Sequence, residues 1–148
     1  PIVPVRHEFF VTVAANGLTP NLPVIRIPDA TLYLRAETNA LLCGGWEPKS
    51  LSSDPRGIPL ANALPIIDDD WDALGQFAAQ LAPHFPQIEE LGIRSVFKGW
   101  PTFTPDGRFI IDESCRVKVF VIAGRSNAPG IVVSAGVGPY FLLSFLVS

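Results

Sequence analysis

From Val3 to Val13 valine, phenylalanine and threonine dominate, and Ala14-Ala15-Asn16-Gly17 closes the run, so the pattern predicts a strand. In its middle stands "VRHEFFVT", where His7 sits beside a glutamate and could face solvent, a core partner or a substrate. Thr19 to Pro28 carries Pro20, Pro23 and Pro28 and reads as an extended connection. Thr31–Arg35 and Ala40–Trp46 are short apolar runs joined by Ala36–Asn39, the length and composition of a hairpin loop, which predicts antiparallel pairing.

Pro48 to Pro65 is rich in Ser, Pro, Asp and Gly without periodicity and reads as a loop. Asp68-Asp69-Asp70 then precedes Trp71, Leu74, Phe77, Ala78 and Leu81, spaced by three and four residues. That spacing, with acids where the positive end of a helix favours them, predicts a helix ending before Pro83 and a short turn over Gln87–Leu91. Ile93–Phe103 reads as a strand, Thr104-Pro105-Asp106-Gly107 as a turn, and Val117–Ala123 as a strongly apolar strand.

The last 19 residues, Gly130–Ser148, carry no charge. Such a stretch barely reaches across a bilayer, and Gly130, Ser134, Gly136, Gly138 and Pro139 weaken a membrane span. A glycine-rich turn and a buried helix, with its packing partner outside the segment, is the expectation.

Composition narrows the classes. At 148 residues the chain is the size of one domain; 48% hydrophobic with 17% charged residues indicates a globular chain with an apolar surface, or part of something larger. A net charge of -3 and the lack of any basic run interleaved with aromatics exclude nucleic acid as a partner. Cys43 and Cys115 could form one disulfide, but without CxxC spacing they read as small buried thiols in a reducing compartment, the cytoplasm or, in a eukaryote, the mitochondrial matrix. No secretory pattern opens the chain, methionine is absent, and a strand under way from the start suggests a segment of a longer polypeptide.

The titratable residues form no motif by themselves. His7 and His84 lack metal-ligand spacing, and GxSxG, HExxH and a helix-opening GxGxxG are all missing, so no metal site is expected. Asp68, Asp69, Asp70 and Asp72 read as a helix cap, because consecutive residues at a helix start point in different directions.

The order of short segments carries more information. "VRHEFFVT", "LPVIRIPDATLYLRAETNALLCGGWEP", "DDDWDALGQFAAQLAPHFPQIEELGI", "FTPDGRFIIDES" and "VFVIAGRSNAPGIVVSAGVG" resemble, in that order, the second part of the sarcosine and dimethylglycine dehydrogenases, FAD-dependent oxidoreductases related to D-amino-acid oxidase. The resemblance runs from Pro4 to Gly138. It implies an α+β chain: an antiparallel substrate-binding sheet with flanking helices over residues 1–105, then a strand-helix return over 106–148 that completes an FAD domain. The Rossmann half of that domain, with its glycine fingerprint, is absent and becomes an expected partner.

The resemblance also implies roles. His7 falls on the histidine of an H-[EQ]-[YF] strand and Tyr33 on the tyrosine of an L-Y-[YLV]-R strand, both near the amine and the flavin in members that oxidise dimethylglycine. An imidazole can take a proton from an ammonium near neutral pH and a phenol can relay it, which makes His7 the candidate base and Tyr33 its partner. A strand histidine hydrogen-bonded to a neighbour, and a plain cross-strand tyrosine, remain alternatives. Arg35 and Trp46 are substrate-binding candidates, Arg35 as a bidentate partner for a carboxylate or as a surface residue.

Gly124, Ser126, Asn127, Gly130 and Ile131 are the flavin-binding candidates implied in the same way, within a loop "GRSNAPGI" one residue longer than members usually have. Helix-on-sheet packing needs the same glycines. The implied activity is oxidation of a small N-methylated, glycine-like amine by hydride transfer to FAD, with the isolated segment silent and not retaining the cofactor. The rival is a non-catalytic regulatory module of the kind represented by the regulatory subunit of pyruvate dehydrogenase phosphatase, which resembles the same enzymes. An uncovered apolar surface over Val117–Val147 would make the isolated segment a homo-oligomer.

Overall fold

A computed structural model describes residues 2–54, 56, 68–118, 120–124 and 130–147, the last four of these as backbone only. The strands are β1 (Val3–Pro4), β2 (His7–Thr12), β3 (Ile25–Ile27), β4 (Leu32–Glu37), β5 (Ala40–Gly45), β6 (Ile93–Gly99), β7 (Thr102–Phe103), β8 (Ile110–Glu113) and β9 (Val121–Gly124). The α-helices are α1 (Trp71–Leu81) and α2 (Gly130–Val147), and open antiparallel sheets with these helices make the chain α+β. The chain divides into two compact units, one with β2 to β6 and α1, the other with β1, β7, β8, β9 and α2.

In the first unit the strands run in the order β3-β4-β5-β2-β6 with every neighbour antiparallel. Side chains alternate between faces, so Phe10 of β2, Leu32 and Leu34 of β4, and Leu41 and Cys43 of β5 point to one side. There they meet Leu74, Phe77 and Leu81 of α1, together with Ile88 from a single 3₁₀ turn at Pro86–Glu90. Burying each of these large side chains stabilises the fold by about 1.5–3 kcal/mol before chain entropy is charged against it.

Helix α1 starts where the acids predict: the Oδ1 of Asp70 accepts from the Ala73 N–H at 3.0 Å, an N-cap. Its buried stripe is Ala73, Leu74, Phe77 and Leu81, and Trp71 is not part of it. Trp71 stands in the first turn and is 59% exposed, so the expected stripe begins one step too early. Gly45 lets the helix approach the sheet, since a Cβ there would lie 2.7 Å from Phe77 Cε1.

Several expected boundaries move. The hairpin loop is two residues rather than four: Glu37 pairs with Ala40, and Thr38 takes the left-handed turn conformation at φ 61°. The proline-rich connection contains the edge strand β3, whose three residues fit between Pro23 and Pro28. The long first strand is two strands in different sheets, split after Pro4, and the Ile93–Phe103 run is likewise interrupted, at Trp100–Pro101. Most of the expected Pro48–Pro65 loop, residues 55 and 57–65, lies outside the described residues.

In the second unit β1 pairs with β7, and β8 pairs with β9. The Thr104–Gly107 turn forms, with the Gly107 N–H donating to the Thr104 carbonyl at 3.1 Å and Gly107 at φ 67°. Val117 does not open a strand: β9 begins only at Val121, after the bends that follow β8. Helix α2 includes Pro139, and its Ile131 and Val132 are exposed. Among the described residues no helix is long and apolar enough to cross a membrane. Both cysteines are free, but only Cys43 is buried; Cys115, in the bends between β8 and β9, is exposed.

Candidate functional site

The face of the sheet opposite α1 carries the alternate residues: His7 and Phe9 on β2, Tyr33 and Arg35 on β4, Phe97 on β6. His7 and Tyr33 belong to strands that do not touch, because β5 runs between them. They nevertheless meet, His7 Nε2 to Tyr33 Oη at 2.7 Å. The residue that β5 presents there is Gly44, which pairs with Tyr33 on one side and Phe9 on the other. Its missing side chain is the space the phenol occupies: a Cβ on Gly44 would lie 2.6 Å from Tyr33 Cζ and collide with the hydroxyl.

Trp46, just past β5, stacks on the His7 ring with centroids 4.2 Å apart and planes inclined by 21°. Beside this trio Phe9 stacks on Phe97 at 5.2 Å, and Phe97 is half exposed. The result is a half-open aromatic surface on which the imidazole and the phenol are bonded to each other.

Burial lowers the pKa of His7, so its ring is neutral at neutral pH. Burial likewise pushes the Tyr33 phenol up to about 12, so it keeps its proton. In the Nδ1–H tautomer of His7 the phenol donates to Nε2 and leaves lone pairs of Oη free to accept; in the other tautomer Nε2–H donates to Oη. A pair held neutral in this way can receive a proton.

On the α1 side, the residues next to the trio form a charge cluster. Arg6 Nη2 donates to Glu47 Oε2 at 3.0 Å and also to Asp70 Oδ2. The fully buried Glu8 accepts from the Asp70 N–H at 3.1 Å and lies 3.4 Å from Arg6 Nε, too far for a good hydrogen bond. Burial pushes the Glu8 carboxyl up, whereas the Ala73 N–H and Arg6 hold Asp70 below the ordinary carboxylate range.

The structure thus brings together three of the residues singled out from sequence, His7, Tyr33 and Trp46. Arg35 is not joined to them: its Nη2 pairs with Glu37 at 2.6 Å and its Nη1 donates to the Ala36 carbonyl at 3.3 Å. Gly124 and Gly130 line an apolar recess of about 300 Å³ with Phe109, Ile111, Ala123 and Val133, while Ile131 is 93% exposed. Ser126 and Asn127 lie outside the described residues. Sequence reasoning passed over Gly44, Arg6 and Glu47. For Gly44 a signal existed, a Gly-Gly pair inside a strand pattern, which marks close approach of another group.

Residues 1–141 match the family "DAO: FAD dependent oxidoreductase", and the chain belongs to that family. Sarcosine dehydrogenase, mitochondrial, of Mus musculus is 30% identical over 138 residues, which cover 93% of this chain and 15% of the relative. Dimethylglycine dehydrogenase, mitochondrial, of Rattus norvegicus is 26% identical over 148 residues, covering 95% of this chain and 17% of the relative. The chain therefore spans about a sixth of the length of these relatives. The crystal structure of glycine oxidase from Geobacillus kaustophilus superposes with a TM-score of 0.68 at 19% identity, over 93% of this chain and 33% of that one, so the fold is shared.

Proposed function

We propose that this chain supplies the substrate-binding side of an FAD-dependent amine oxidoreductase that oxidises an N-methylated, glycine-like amine. The observation that carries the reading is the His7–Tyr33 pair, a neutral imidazole 2.7 Å from a neutral phenol on an aromatic face. An amine reaches the site as an ammonium ion, and its nitrogen must lose a proton before a neighbouring C–H bond can give up hydride. Tyr33 Oη accepts that proton as its own passes to His7 Nε2, so the dyad relays one charge onto the imidazole. The Trp46 ring against His7 then faces an imidazolium, a favourable cation–π contact.

The residues also fit the cofactor of the family. FAD, when bound, supplies the hydride acceptor. The apolar recess at Gly124 and Gly130 offers backbone without side chains, as an edge of a planar ring requires, with Ser126, Asn127 and Ile131 completing the candidate set. The aromatic face with Trp46 holds the methylated amine, and Arg35 would take its carboxylate only by leaving Glu37. A dinucleotide-binding half, on the same polypeptide or another, is the partner this assembly needs.

The test is steady-state oxidation of N-methylglycine and N,N-dimethylglycine by the assembled, FAD-loaded enzyme across pH. Wild type should lose kcat/KM below a pKa lower than the ordinary histidine value of about 6.5, and Tyr33→Phe and His7→Asn should each lower it by about 10²–10⁴-fold. FAD bound without amine turnover would leave the regulatory module as the better reading.

A further inference from the structure

The charge cluster on the α1 side is aligned with the site residue by residue. Between β2 and β5 the paired register runs Val11 to Leu42, Phe10 to Cys43 and Phe9 to Gly44. Continued by three residues, it sets Glu8 opposite Gly45, His7 opposite Trp46 and Arg6 opposite Glu47. The His7–Trp46 pair is the ring stack on the open face, and the Arg6–Glu47 pair is the 3.0 Å ion pair on the helix face. Trp46 meanwhile gives its backbone to β4's neighbour Thr31, donating N–H to the Thr31 carbonyl and accepting from the Thr31 hydroxyl, both at 3.1 Å. Side chains thus hold β2 to β5 at this end, and Arg6 extends the hold to α1 through the N-cap Asp70.

We propose that Arg6 and Glu47 are positioning residues that keep the His7 ring seated against Trp46 and within reach of Tyr33, a role that rests on the amine-oxidation reading above for its effect on turnover. A buried ion pair adds little net stability over an apolar replacement, but removing one partner strands the other charge, so a loss of stability alone would not distinguish positioning from support. Here Arg6 is 11% and Glu47 6% exposed, and the pair lies at the backbone positions that aim the relay. A displacement of about 1 Å at such a position can lower a rate by up to about a hundredfold. The charged and titratable groups around His7 are Tyr33 from β4, Arg6 just before β2, Glu8 on β2, Glu47 beyond β5, Asp70 at the head of α1, and Lys98 on β6, which is paired with Asp69 at 2.6 Å.

The experiment is a double-mutant cycle of Glu47→Gln and His7→Asn in the assembled, FAD-loaded enzyme, read by kcat/KM and by the pH dependence of tryptophan fluorescence. Because protonated histidine quenches a stacked indole, the fluorescence reports the His7–Trp46 contact without reference to turnover. Glu47→Gln should lower kcat/KM by about tenfold in the wild-type background and by less than about twofold beside His7→Asn, and should weaken the acid quench. Equal losses in both backgrounds, or an unchanged quench, would overturn the proposal. If wild type oxidises no amine, the quench decides alone: weakened, it supports the positioning role and sinks the amine reading; unchanged, it overturns the role.

Discussion

Gly44→Ala asks whether the His7–Tyr33 contact depends on one missing side chain. The new methyl would lie 2.6 Å from Tyr33 Cζ and 2.7 Å from Phe9 Cβ, whereas carbon atoms settle at about 3.5–4.0 Å, so about 1 Å must be found. Phe9 Cβ cannot supply it, being fixed to a strand that pairs on both sides, with β5 and with β6. The Tyr33 ring can, by swinging about its χ1 towards the open face. A 2.7 Å hydrogen bond lengthened by about 1 Å is lost. The expected destabilisation is about 1–3 kcal/mol from overpacking, while kcat/KM should fall by about a hundredfold or more as the relay opens.

Gly45→Ala is the control. The same methyl, one residue on and facing α1, would meet Phe77 Cε1 at 2.7 Å and Leu32 Cδ2 at 3.0 Å. It should cost a similar about 1–3 kcal/mol in urea unfolding yet leave turnover per folded molecule close to wild type. Unfolding midpoints and kcat/KM corrected for the folded fraction separate the two. Gly44→Ala with turnover within twofold of wild type, or equal losses in both variants, would show that Gly44 does not position the phenol.

Two further predictions concern ionisation and the thiols. Because the folded-state pKa of His7 is lowered, its contribution to stability is present above the unfolded value of about 6.5 and is lost as pH falls through the folded value; His7→Asn should therefore flatten the pH dependence of the urea midpoint on the acid side of 6.5. Burial pushes the Cys43 thiol up to about 12 within the core, whereas Cys115 is exposed, so a thiol reagent at pH 7.5 should label one cysteine per native chain and two after unfolding, as read by intact mass. Rapid double labelling of the native protein would contradict the packing of β5 on α1.

The parts most legible in the sequence were those with a single strong cause. Helix α1 follows from acids placed before an i, i+3, i+4 stripe, and the pairing of β4 with β5 follows from two apolar runs separated by a short polar break. Strand β3 escaped because three residues between prolines carry no readable alternation, and its strand character comes from β4 beside it. Strand β8 was hidden by the more apolar run after Val117, since alternation does not say which of two nearby runs will find a partner. For the site, the identities of His7 and Tyr33 came from resemblance to a family. What brings them together, a glycine on the strand between and a register continued to Trp46 and Glu47, is a property of pairing that no local pattern encodes.

The most direct measurement is the absorption spectrum of the assembled, FAD-loaded enzyme when N-methylglycine or N,N-dimethylglycine is added without oxygen. The His7–Tyr33 relay predicts bleaching of the long-wavelength flavin band by wild type and bleaching slowed by about a hundredfold or more in Tyr33→Phe. A bound flavin that neither amine bleaches, or one bleached equally fast when Tyr33 is phenylalanine, would contradict it.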